Sequence, residues 1–428
     1  MQEINIATVE NKVYKENVCG LDVYVFPGET KGITMNLIVK YGSAMNDFRF
    51  KGEKEYKHLH LGVAHFLEHL TFKMEDGDAN DYFASLGSDA NAFTTFDHTN
   101  YEVWTASNLK DNLSYLLKYV LTPYYTKELV EKEKGIILEE AKRCLDNIHR
   151  KLSYAVNENL FQQDNRKYPV IGTIPEIEAI TLEDIETAYN YFYKPYNMVL
   201  AVFGNVDPKE VVSIVKDSLK DYKYEYKEIE YKEDKEQPEI KESRVEIEDK
   251  NEVPLISINY KIPIKNFTEL FKEGMTRKEI DIATYLLVSC ELSSTSDFYE
   301  YLRDNKIIIG GMSNYCQLTD DYLIYTSSAN SNNPDKYIEE IKNKIKHLNI
   351  NEEDFERKKR SSIAKFILIF DNINDYSRGF SHEFISYGND MFIENEVIKN
   401  IKFETVQKIQ SVFESADKIV SVIAKKES

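Results

Sequence analysis

Short apolar runs separated by turn residues open the chain, and helical spacing takes over afterwards. Residues 4–39 read as strands: 21–26 and 33–39 are rich in aliphatic, β-branched and aromatic side chains and are separated by Gly28 and Gly32. The chain turns at Gly42 and Ser43, and the polar stretch 47–57 is expected to be a loop leading into a helix. Residues 78–86 suit a short helix stopped by Gly87. Residues 88–95 and 99–104 form an expected hairpin across Asp97 and His98, with His98 read as a turn residue. Apolar spacing is helical over 109–119 and over 127–150, with Pro123 between them, and stays helical to about Leu160. Thr181 to Asp184 has the form of an N-cap and acidic first turn, opening a helix to about Tyr193. A strand run at 198–203 stops at Gly204, and a helix follows over 209–219.

Residues 221–244 are mostly Lys, Glu and Tyr with little aliphatic periodicity, the composition of a linker. Beyond them, 244–248 and 255–260 are expected strands and 278–292 an expected helix, repeating the order of the first half. The run 197–203 is echoed by 418–423. The expected fold class is α+β, two homologous α/β domains at 1–220 and 245–428, each a mainly antiparallel sheet covered by helices.

Composition sets outer bounds. A length of 428 residues is enough for two to four compact units, and 42% apolar content is ordinary for a soluble protein. A net charge of −19 argues against nucleic acid or anionic membrane as partner and favours a basic substrate. No basic segment followed by an apolar one opens the chain and no apolar run reaches membrane-spanning length, so a cytoplasmic location is expected. Cys19, Cys144, Cys290 and Cys316 lie far apart with no Cys-x-x-Cys pair, poor material for disulfides or a structural zinc site.

The chemistry concentrates at residues 61–70. On a helix His65, Glu68 and His69 share a face. The flanks Leu61, Val63, Ala64, Phe66, Leu67, Leu70 and Phe72 are apolar, so the helix is expected to be buried, and buried charged groups need partners. A metal is the natural one; a solvated polar face is the alternative that the apolar flanks oppose. Catalytic zinc takes three protein ligands and leaves a position for water, whose proton a neighbouring carboxylate can accept. His-x-x-Glu-His is the inverted zincin pattern. Further on, Glu133, Ile137, Glu140 and Cys144 share a helix face. A carboxylate within the apolar stretch 135–141 would serve as third ligand; spacing gives Glu140 a modest preference over Glu139.

With these residues and the duplicated layout, the chain resembles the insulinase/pitrilysin family of inverted-zincin metallopeptidases over nearly its whole length. The resemblance implies a zinc endopeptidase with Zn2+ held by His65, His69 and Glu140. Glu68 would act as general base, and Glu133, seven residues before Glu140, would support the ligands. It implies a substrate-binding edge strand at Asn91, Ala92, Phe93 and Thr94, and a chain forming half of a four-domain clamshell chamber. A second subunit is therefore implied, as a heterodimer or homodimer. One departure bears on this: the family's substrate-holding arginine matches Arg303, but the tyrosine expected seven residues on is Gly310, with Tyr315 nearby. The chain thus resembles the catalytic half of a heterodimer whose partner supplies arginine and tyrosine. Substrates would be short or unfolded peptides, including the leader of a modified peptide. The alternative is a non-catalytic structural or peptide-binding subunit of the same fold.

Overall fold

The computed structural model describes residues 1–6, 9, 12–232 and 235–426. Residues 7, 8, 10 and 11 of the first strand region and 233–234 of the charged stretch lie outside the described residues. The chain divides into two compact units. One comprises Met1–Arg143, Tyr168–Glu233 and Ile367–Gly388; the other comprises Cys144–Lys167, Asp234–Phe366 and Asn389–Ser428.

In chain order, the first unit supplies strands β1 (Gln2–Asn5), β2 (Lys12–Val18), β3 (Leu21–Pro27) and β4 (Ile33–Val39). Helix α1 (Val63–Thr71), strands β5 (Asp89–Thr94) and β6 (Thr99–Thr105), and helices α2 (Leu109–Leu121) and α3 (Lys127–Asp146) follow. After α4 (Ile148–Leu160), which belongs to the second unit, comes β7 (Met198–Gly204). The sheet order is β1-β2-β3-β7-β4-β6-β5, antiparallel except where β7 runs parallel to β3. Every residue of β4 and β7 is buried. Both faces of these central strands are covered, which is why they read as unbroken apolar runs instead of alternating.

The second unit holds β8 (Arg244–Glu248), β9 (Leu255–Pro263), helix α5 (Arg277–Glu291), β10 (Ile309–Leu318), β11 (Tyr322–Asn330) and β12 (Ile419–Lys425). Its order, β8-β12-β9-β11-β10, reproduces β3-β7-β4-β6-β5, including one parallel pair in the same place. The internal repeat is therefore structural. Helix α5 occupies the place of α1 between the matching strands, opens with a Thr276–Glu279 capping box, and contains no histidine. No helix among the described residues is long and apolar enough to cross a membrane.

Each unit also takes a helix from the other half of the sequence. In the first, helix α6 (Ile373–Tyr387) covers the sheet face opposite α1: the Phe380 ring lies 5.4 Å from both Phe26 and Phe203, and Phe384 lies 5.2 Å from Tyr24. In the second, Leu152, Val156 and Leu160 of α4 pack with Leu255, Ile324, Val420 and Val422. An apolar sheet face must be covered by some apolar stripe, and here the stripe comes from a distant stretch of chain.

Two local expectations are corrected. The helix over 127–150 is broken at Asn147, whose side chain accepts from the backbone N–H groups of His149 and Arg150 and so starts α4 afresh. The stretch 47–57 is not simply a loop: Asp47–Phe50 forms a strand between Lys57–His58 and Ile229–Tyr231, the last from within the charged 221–244 segment. Aromatic packing drives this, because Phe48 is fully buried against Tyr191 and Phe192 while Phe50 stacks on Tyr191 at 3.9 Å.

The packing of α6 makes Phe380→Ala costly. Loss of its fully buried ring is expected to lower stability by about 3–5 kcal/mol, read as the midpoint of urea unfolding. The exposed Leu368→Ala is expected to stay within about 0.5 kcal/mol of the parent; equal effects of the two would refute this account of α6.

Candidate metal centre

Helix α1 starts at a constrained point. Gly62 sits in the left-handed region at φ 91°, and a Cβ there would lie 2.3 Å from the carbonyl oxygen of Ile171. Only glycine meets both conditions without strain. The Glu176 carboxylate accepts from the Leu61 backbone N–H at 3.0 Å and contacts His60 Nδ1 at 3.1 Å, fixing the chain just before the helix. From there Val63, Ala64, Phe66, Leu67 and Leu70 enter the core, and Glu68 is carried in with them to 8% exposure.

His65 and His69, one turn apart, stay half-buried with ring centroids 4.7 Å from each other. Helix α3 meets them. Its buried line is Val130, Glu133, Ile137 and Ala141, with Glu140 half-buried beside it. Glu139 is exposed and paired with Lys142 at 2.6 Å, whereas Glu140 is the glutamate that stands beside the two histidines. Glu140 lies 3.9 Å from His65 Nε2 and 3.4 Å from His69 Nε2. Ligand atoms of His65, His69 and Glu140 all fall within 4.8 Å of one another, while Glu133 Oε1 holds the other ring nitrogen of His69, Nδ1, at 3.0 Å.

Electrostatics point the same way. Burial opposes the charged form of His69, but hydrogen bonds to Glu133 and Glu140 and the charge of Glu68 outweigh it and bring the imidazole up to about 9. The hydrogen bond to His69 is the largest influence holding both Glu133 and Glu140 below the usual carboxylate range. Two imidazoles and a carboxylate, with a second carboxylate fixing one ring, form a donor set that suits zinc. Zinc fits these residues.

Glu68 differs from its neighbours. Burial raises its pKa, opposed by the Thr94 hydroxyl, which donates to Oε2 at 2.6 Å, and by His69. Thr94 therefore orients the carboxylate as well as standing in the edge strand. The sequence marks Thr94 only as part of the edge strand; its pairing opposite Thr99 and its reach to Glu68 emerge in the fold. Asn91, Ala92, Phe93 and Thr94 all lie on β5, which pairs only with β6 and leaves its outer edge free among the described strands. His98 is at the hairpin turn but fully buried, its Nδ1 within 2.6 Å of Asp97 Oδ1 and 3.0 Å of Thr95 Oγ1, outside the metal cluster.

Arg303, Gly310 and Tyr315 belong to the second unit. Arg303 is exposed and pairs with its neighbour Asp304 at 3.2 Å. Gly310 has φ 78°, at a point where the register between β10 and β11 shifts between Ile309 and Met312. Tyr315 is exposed on β10.

Two family models match the chain: insulinase (peptidase family M16) over residues 33–174, and the peptidase M16 inactive domain over 179–362. The chain is 30% identical over 428 residues to the uncharacterized zinc protease YmfH of Bacillus subtilis, covering 98% of both. The fold matches an M16-like peptidase from Alicyclobacillus acidocaldarius with a TM-score of 0.89 at 23% identity, covering 99% of this chain and 100% of that one. It matches a protease from Helicobacter pylori with a TM-score of 0.78 at 19% identity, covering 97% and 100%. Near-complete coverage by a 30% identical relative, together with the two matching models, places the chain in the insulinase family of peptidases, family M16.

Proposed function

We propose that the chain is a zinc-dependent endopeptidase that cleaves short or unfolded peptides. The observation that carries this reading is the convergence of His65, His69 and Glu140 beside a buried glutamate that touches the edge strand. That relatives are named zinc proteases supports it.

His65, His69 and Glu140 would hold the metal. When bound, zinc supplies Lewis-acid polarisation of a carbonyl and brings the pKa of a water down towards about 7. Glu68 takes the proton of the attacking water and delivers it to the leaving amine; a carboxylate whose pKa is raised by burial is suited to holding that proton between the two transfers. Thr94 aims Glu68, and Glu133 fixes the His69 ring through Nδ1 so that Nε2 turns towards Glu140. The peptide adds to the outer edge of β5 along Asn91, Ala92, Phe93 and Thr94, held by main-chain hydrogen bonds that ask little of its sequence.

Gly310 offers no side chain where the family uses a tyrosine, so the functional form pairs this chain with a second subunit of the same fold. In a heterodimer that partner supplies arginine and tyrosine and completes a four-domain chamber; a homodimer completes the chamber with Arg303 and Tyr315 of a second copy. The reading covers both leader-peptide processing and general peptide turnover, in the cytoplasm.

Glu68→Gln is expected to retain zinc, counted by elemental analysis, and to lose cleavage of a quenched fluorescent peptide by at least about 100-fold. Turnover at the parental rate would remove Glu68 from the mechanism. His65→Ala is expected to lose the metal itself, and undiminished zinc after dialysis would show that the ligand set is wrong. Glu133→Gln is expected to weaken zinc about 10–100-fold in competition with a chelator; unaltered affinity would mean that the His69 contact contributes nothing.

A further inference from the structure

Strands β4, β6 and β5 carry a row of polar side chains on the sheet face that α6 partly covers. Asn36 on β4 stands opposite Glu102 on β6, and Glu102 stands opposite Asn91 on β5. Residues opposite one another share a face, and Asn100, two residues from Glu102, shares it too. Asn36 and Asn100 are 1% and 0% exposed. Asn36 Nδ2 donates to the Ser377 carbonyl of α6, and Asn100 Nδ2 donates to Glu102 Oε1, both at 2.9 Å. The buried amide oxygen of each asparagine accepts nothing from the protein.

Glu102 is half-buried and forms no ion pair with any described lysine, arginine or histidine, and burial pushes its carboxyl up to about 7. A carboxylate without a counter-charge, beside buried oxygens that lack donors, is a place short of a cation. Only the edge strand β5 stands between Glu102 and whatever pairs with the outer side of β5. The face is open one residue pair along, where Thr34, Asp89, Trp104, Asn374 and Arg378 line a cleft.

We propose that Glu102 and the Asn100 amide oxygen form a subsite for the ammonium group of a lysine in a peptide strand docked on β5. This rests on the reading that β5 receives the peptide. One negative charge matches one positive charge, and an ammonium brings three donors to the carboxylate and the amide oxygen. A divalent ion asks for more carboxylates than Glu102 and Asp89 supply. Two strand spacings, about 9.6 Å, separate the peptide from β6; the four-carbon lysine stem lying over Asn91 and the glutamate side chain span that gap together. The lysine belongs opposite Asn91, three residues from the peptide residue facing Thr94, whose hydroxyl holds Glu68.

The test is fluorescence anisotropy of labelled peptides on the zinc-loaded Glu68→Gln chain, with lysine walked along the peptide and compared at each position with norleucine. Lysine at one position is expected to bind about tenfold tighter than norleucine, with no gain at either neighbour, since neighbours face the other side of the sheet. In the double variant with Glu102→Gln, the lysine–norleucine difference is expected to vanish; it is read between two peptides on one protein, so general weakening cancels. Equal binding of the two peptides, or a lysine preference that survives Glu102→Gln, overturns the subsite and leaves the peptidase reading intact. Failure to bind any peptide overturns docking on β5 and the subsite with it.

Discussion

Three carboxylates and two imidazoles gathered in a largely buried place are the constraint on which the first unit turns. Charges removed from water need partners; here Glu133 and Glu140 find theirs in His69, and Glu68 takes the Thr94 hydroxyl. His69 uses both ring nitrogens, one towards Glu133 and one towards Glu140, and the two carboxylates favour positive charge between them. Meeting that call with a metal instead of a proton requires fixed separations. The left-handed entry at Gly62, the Glu176 clasp on Leu61 and the buried line of α3 each remove a degree of freedom from one of the donors.

The second unit shows that the fold does not need this chemistry. It repeats the five-strand order with its parallel pair, yet α5 fills the place of α1 with Ile280, Ala283, Leu286, Leu287 and Cys290 as plain core. Its own buried charge is structural: the Lys261 ammonium reaches Glu236 at 2.6 Å and the Leu160 carbonyl at 2.7 Å, and Glu236 accepts further from the backbone of residues 162–164. Such a pair, with its hydrogen bonds satisfied, ties segments together without presenting a reactive group. One backbone thus carries a site in one copy and packing in the other, as expected when function resides in side chains placed on a scaffold.

The parts legible in the sequence are those governed by local periodicity. The spacing of His65, Glu68 and His69 places them on one turn, the offset from Glu133 to Glu140 returns to one helix face, and 33–39 and 198–203 read as strands because they are buried on both sides. What escaped depends on partners distant in sequence. Nothing in the apolar stripe of α6 says which sheet it covers, because Phe380 and Phe384 would suit either. Phe48 and Phe50 sit among charges, and their strand is stabilised by Tyr191 and Phe192, far along the chain. The bond from Thr94 to Glu68 likewise joins two elements whose meeting is a tertiary fact.

The two free edges at the corresponding ends of the sheets sharpen the difference between the units. Exposed edges invite unwanted pairing, and proteins commonly blunt them with lysine, proline or a bulge. The edge strand β10 carries a register shift at Ile309 to Met312, with Gly310 in the left-handed region, so its ladder is interrupted near its start. By contrast β5, Asp-Ala-Asn-Ala-Phe-Thr, has neither lysine nor proline, and its register with β6 is unbroken from Asp89 to Thr94. A regular, unprotected edge ending at the residue that holds the buried Glu68 is a liability for stability alone. It becomes an asset when the strand that pairs there is the substrate.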